Sequence, residues 1–168
     1  MNTPKVNEDE MLYRQIGPGG DPIYFNPDRN PPIHQSRFIP TSADTDGLSL
    51  IRSRFRTEVW SAYRLEQPSV RFRLAVIQAE LLRRIALDSG FEALSYRVSA
   101  DGLDDRFGEP WAHCVVAEMN RANYDSDVET KKKIKEWALR ATKLIKKEDV
   151  IGPFDAPTDD DPYRPNNG

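Results

Sequence analysis

The sequence predicts an α+β fold: a small, mostly antiparallel sheet with about three helices and disordered termini. Three observations carry this. Val70, Phe72, Leu74 and Val76 fall at every second position, with Arg71 and Arg73 between the first three, the period of a half-buried strand. Apolar residues recur at helical spacing between 126 and 147. The remaining strand-like and helix-like pieces follow one another without regular βαβ alternation, which argues against a parallel sheet. The 13 prolines of the 168-residue chain gather mainly toward its two ends. Little apolar surface is available there to offset chain ordering. The expected organisation is therefore a disordered arm over 1–9, a single α+β domain over 10–154, and a disordered acidic, proline-rich tail over 155–168.

Along the chain, MLYRQI at 11–16 reads as a short strand, stopped by GPGGDP. Ile23 to Phe25 reads as a second short extended piece, and the prolines of NPDRNPP exclude a regular element after it. Phe38 and Ile39, ahead of Pro40, are expected to be extended. SADTDG is a turn signal, and LSLI is the strand leaving it. Thr57 is the expected N-cap of a helix to about Leu65, with Val59, Trp60 and Tyr63 on its buried face. From Val70 the period is 2, with Val70, Phe72, Leu74 and Val76 on one face. From Ala79 the spacing turns helical, with Gly90 as the stop; one continuous helix over 69–88 is the competing reading. Leu94 to Val98 and Ala112 to Ala117 read as strands. Ser126 and Glu129 form an S-x-x-E capping box for a last helix over 126–147. Its buried face carries Ile134, Trp137, Ala138, Ala141, Leu144 and Ile145.

Composition removes several function classes. The net charge of −3 provides no global pull toward nucleic acid or anionic membrane. Cys114 is the only cysteine, so no intramolecular disulfide forms, which fits a reducing, cytoplasmic setting. The polar start MNTPKVNEDE does not read as a secretory signal, and no apolar run approaches the ~20 residues of a membrane-spanning helix. GxGxxG after a strand, GxxxxGK[ST], GxSxG and HExxH do not occur, which argues against Rossmann, P-loop, α/β-hydrolase and zincin chemistry.

The chemistry concentrates in Ile33–Leu50, which holds His34, Arg37, Phe38, Pro40, Asp44, Asp46, Gly47 and Ser49. At Leu12-Tyr13-Arg14, Phe38-x-Pro40, Asp46-Gly47-Leu48-Ser49 and Pro110-x-Ala112-His113, the chain resembles a loose group of small bacterial proteins of unassigned function. The resemblance spans roughly Leu12 to Pro153. It carries over no activity; it singles out Arg14, Phe38, Pro40, Gly47, Ser49 and His113. Such proteins often have a histidine shortly after the arginine of L-Y-R, where this chain reads IGPGG.

Five groups of residues carry candidate chemistry. His34 and His113 suit an acid–base pair, with Arg14 or Arg37 stabilising a phosphate, as metal-independent phosphodiester cleavage requires. The plainer reading makes His34 a loop residue and His113 a hydrogen-bonded strand residue. Asp101, Asp104 and Asp105 lack EF-hand spacing and read as an exposed loop. Two histidines and one cysteine are too few for a typical zinc site, so no metal and no cofactor is expected. Asp44, Asp46 and Ser49 suit a cation or a ribose, but the turn itself is the better explanation: Asp and Ser bond the local backbone and Gly47 allows the reversal. Arginines 52, 54, 56, 64, 71 and 73 and the lysines of the last helix raise nucleic-acid binding; interspersed acidic residues favour a solvated face.

The leading expectation is a small cytosolic accessory protein acting through a protein partner. One alternative is a small metal-independent enzyme acting on a nucleotide or RNA, with His34, His113, Arg14, Arg37 and Ser49 around one cleft. A second alternative is a nucleic-acid-binding module using the arginine run.

Overall fold

The computed structural model describes residues 5–17, 22–98 and 110–165. Strands β1 (Met11–Ile16), β2 (Leu48–Arg52), β3 (Arg73–Gln78), β4 (Tyr96–Val98), β5 (His113–Val116) and β6 (Val150–Ile151) form one antiparallel sheet in the order β4-β5-β2-β1-β3-β6. Among the described residues, four α-helices accompany it: α1 (Glu58–Ser61), α2 (Ala79–Asp88), α3 (Arg121–Ser126) and α4 (Val128–Leu144). The architecture is the mixed α+β one that the sequence predicts.

Strand alternation sorts the side chains. Leu12 and Ile16 of β1, Leu48 and Leu50 of β2, Ala75 and Ile77 of β3, and Cys114 and Val116 of β5 join one core. This core also takes in Leu82 and Ile85 of α2 and Ile134, Trp137, Ala138 and Ala141 of α4. The α4 residues sit three or four apart, so one helix face is buried. Trp137 is fully enclosed, donates its indole N–H to the Leu82 carbonyl at 3.1 Å, and meets the Phe38 ring edge-on at 6.1 Å. The opposite sheet face carries a smaller cluster of Tyr13, Ile51 and Leu74 with Ala62, against which Ile151 and Phe154 pack.

Several elements depart from the sequence reading. The last helix, expected over 126–147, is α4 at Val128–Leu144, and the separate short helix α3 precedes it; each has its own cap, Asn120 accepting from the Asn123 N–H and Asp127 from the Thr130 N–H. Ser126 does not cap α4; its hydroxyl donates to the Asn123 carbonyl. An acidic side chain one residue later serves both the free N–H groups and the helix dipole. The Thr57 helix closes after one turn, and the Thr57 hydroxyl donates to the Pro162 carbonyl instead of capping it. Residues 35–38, ahead of Pro40, form a 3₁₀ turn, with only Ile39 extended. Phe25 makes a single bridge to Ile33. Strand β3 is buried on both faces, because Ala75 and Ile77 lie under the helices while Leu74 is covered from the other side. Helix α2 begins at Ala79, which rules out a continuous helix over 69–88.

The arm and tail read as disordered are docked where they are described. Glu8 accepts at its carbonyl from the Glu80 N–H and pairs with Arg83. In the tail, Tyr163 lies 4.7 Å from Trp60, and the Asp161 carbonyl accepts from the Trp60 indole at 3.1 Å. Residues 1–4 and 166–168 lie outside the described residues, as do Asp101, Asp104 and Asp105. No helix among the described residues is long and apolar enough to cross a membrane.

Candidate functional site

Ile33–Leu50 runs from the 3₁₀ turn, whose Phe38 packs on Trp137 of α4, into strand β2, and Arg14 ties it down. From β1, Arg14 donates through Nε to the Arg37 carbonyl and through Nη1 to the Ser49 carbonyl, both at 2.8 Å. One guanidinium thus links the 3₁₀ turn to the start of β2. Burial pushes the Arg14 pKa down to about 10, opposed by Asp44 and reinforced by Arg37 and Arg64. Those groups surround a cavity of about 490 Å³.

Each wall has a local cause. Arg37 stacks on Tyr24 at 4.4 Å and donates to the Gly17 carbonyl at 3.3 Å. Arg64, just past α1, stacks on Phe72 at 4.7 Å and donates through Nε to Gln15 at 2.7 Å. A planar guanidinium over an aromatic face keeps its N–H edge available at low entropic cost. Asp44, the cavity's carboxylate, accepts from the Thr41 N–H at 2.7 Å and the Thr41 hydroxyl at 3.1 Å. Its role is to close the turn, as the turn reading of this stretch requires.

The structure brings Arg14, Arg37 and Ser49 together on this cavity. His113 reaches it indirectly, through a hydrogen bond between its Nε2 and the Ser49 hydroxyl. His34 is not among the lining residues. Its exposed ring serves its own turn, Nδ1 accepting from the Ser36 N–H at 3.1 Å. Arg64 belonged to the arginine run, whereas nothing in the sequence pointed to Gln15 and Phe72 as its companions, or to Tyr24 as that of Arg37.

That run does not form a stripe. Arg52 is fully buried and grips Glu10 through two bonds, Nε at 2.6 Å and Nη2 at 3.0 Å. Arg56 is also buried, Arg54 lies over Phe55, and Arg64 serves the cavity. Cys114 sits in the core, and burial pushes its thiol up to about 12, which makes it a packing residue. Among the described residues, no three His, Cys, Asp or Glu side chains gather as metal ligands.

Compared with protein-family models, with curated proteins and with solved structures, the chain matches none of them.

Proposed function

We propose that this chain binds a phosphate-bearing small molecule in the cavity bounded by Arg14, Arg37 and Arg64. One observation carries the reading. Three guanidiniums border a single cavity with one carboxylate, and that carboxylate already serves the Thr41 turn. Like charges brought together repel, and a bound oxyanion relieves that repulsion. Guanidinium forks match phosphate oxygens in a bidentate way, and the two that stack on rings are already oriented. Tyr24 and Phe72 add flat apolar walls for the organic part of such a ligand.

An accessory protein docking through an apolar face is the rival reading. The large exposed apolar side chains among the described residues are Met11, Ile23, Leu87 and Val128. They lie on separate elements, so we place the small-ligand reading first.

The test is titration calorimetry and thermal shift with inorganic phosphate, pyrophosphate and a nucleoside monophosphate, against chloride at matched ionic strength. Binding should raise the melting temperature in proportion to ligand excess over Kd. Arg64→Ala, at an exposed position, should weaken binding roughly tenfold without loss of fold. Equal response to phosphate and chloride would refute the reading.

A further inference from the structure

Ser49 and His113 are neighbours for a reason that sheet geometry fixes. Strands β2 and β5 pair with Ser49 opposite Val115 and Ile51 opposite His113. Ser49 and His113 therefore share one sheet face as diagonal cross-strand neighbours. Gly47 helps hold this spacing: its φ is +142°, and a Cβ there would collide with the Val116 carbonyl oxygen. The serine hydroxyl and the imidazole Nε2 are hydrogen-bonded. Ser49 also borders both the arginine-lined cavity and a smaller recess beside it, shared with Tyr13, Arg14, Gln15, Ile51 and Arg64. The Arg14 guanidinium contacts the carbonyl of Ser49 itself. A hydroxyl, a base and a cluster of cations thus meet at one place.

We propose that Ser49 is the nucleophile, and His113 the general base, of a phosphodiester-cleaving activity in this cavity. The proposal rests on the anion-binding reading above. In the first step the Ser49 hydroxyl gives its proton to His113 Nε2 as the Oγ–P bond forms. The bond from phosphorus to the leaving alkoxide breaks, and the imidazolium returns the proton to that alkoxide. An alcohol departs and Ser49 carries the phosphoryl group. In the second step a water gives a proton to Nε2 and attacks phosphorus. The Oγ–P bond breaks, Oγ recovers the proton, and a phosphomonoester leaves. Arg14, Arg37 and Arg64 neutralise the non-bridging oxygens during both displacements. His34 has no part in either step.

A cross-strand Ser–His hydrogen bond with no chemical role is the competing explanation, and reactivity separates the two. The full-length protein is treated with a fluorophosphonate probe, which phosphonylates activated serines with loss of fluoride, and separately assayed with bis(4-nitrophenyl) phosphate. We expect a mass adduct at Ser49 and release of 4-nitrophenol. Both should vanish in Ser49→Ala and slow about 100-fold or more in His113→Gln. The residual His113→Gln rate should lose the rise with pH that a neutral imidazole base confers. Thermal unfolding checks that each variant folds; if His113→Gln does not, the adduct site in the wild type decides. Release that survives Ser49→Ala overturns the proposal. Absence of both adduct and release in protein that binds phosphate overturns the nucleophile and leaves the anion site standing. Absence of phosphate binding as well removes both.

Discussion

The rings of Trp60 and Tyr163 lie 4.7 Å apart, tilted by 38°, and join the short helix α1 to the C-terminal tail. The same tail supplies acceptors to the Trp60 indole N–H, the Thr57 N–H and the Thr57 hydroxyl. Ending the chain after Phe154 should cost on the order of 1–3 kcal/mol, from the ring pair and the lost hydrogen bonds. Chemical denaturation of the two lengths, followed by tryptophan emission, measures this. Equal midpoints would show that the tail does not dock in solution.

Glu10, just ahead of β1, and Arg52 of β2 form a buried ion pair, with side-chain exposures of 3% and 0%. Arg52 also donates to the Lys5 and Trp111 carbonyls. Glu10→Ala strands a buried cation and should destabilise by about 3–5 kcal/mol. Replacing both partners with apolar residues of similar size should cost less than that single change. A double-mutant cycle by urea unfolding checks the order of the three variants.

The α4 cap gives a pH signature. Hydrogen bonds from the Thr130 backbone, then its hydroxyl, hold Asp127 below the ordinary carboxylate pKa. A depressed folded-state value means the cap's contribution is complete above the unfolded-state value and is lost as pH falls through the folded one. Asp127→Ala should therefore lower the melting temperature at neutral pH, with the difference from wild type shrinking in acid. Ser126→Ala should stay close to wild type throughout. Melting curves from neutral to strongly acid pH test both.

Trp137→Ala should cost about 3–5 kcal/mol. The change opens a void beside Phe38 and leaves the Leu82 carbonyl without its indole donor. Trp137→Phe retains most of the volume and should cost less. Denaturant midpoints at unchanged m-value are the measurement; a stable Trp137→Ala protein would mean the residue is not enclosed.

Trp137 was legible in the sequence because helical periodicity reports burial directly, and the same holds for the α4 face around it. The alternation from Val70 located β3 but assigned its faces incompletely, since the second cluster that covers Leu74 comes from elements distant in sequence. The true cap at Asp127 was hidden by a better-known pattern one residue earlier. Docking of the tail was invisible because a proline-rich composition reports low intrinsic order, not the availability of Trp60 as a platform. At the cavity, Arg14, Arg37 and Ser49 stood out as chemistry-bearing residues, yet their meeting place depended on β1 lying between β2 and β3. His34 drew attention by its residue type alone, and its ring turned out to be occupied by the neighbouring turn.

The strand order has one further consequence. Among the described residues, both borders of the sheet are its shortest members, β4 with three residues and β6 with two. A foreign strand adds to a sheet by pairing with a run of unsatisfied edge amides, and runs this brief give it almost nothing to grip. Strand β1 lies between β2 and β3, and β6 covers the outer side of β3 at Leu74 and Ala75. Among the described residues, the strand order thus offers edge-to-edge pairing only brief footholds at β4 and β6.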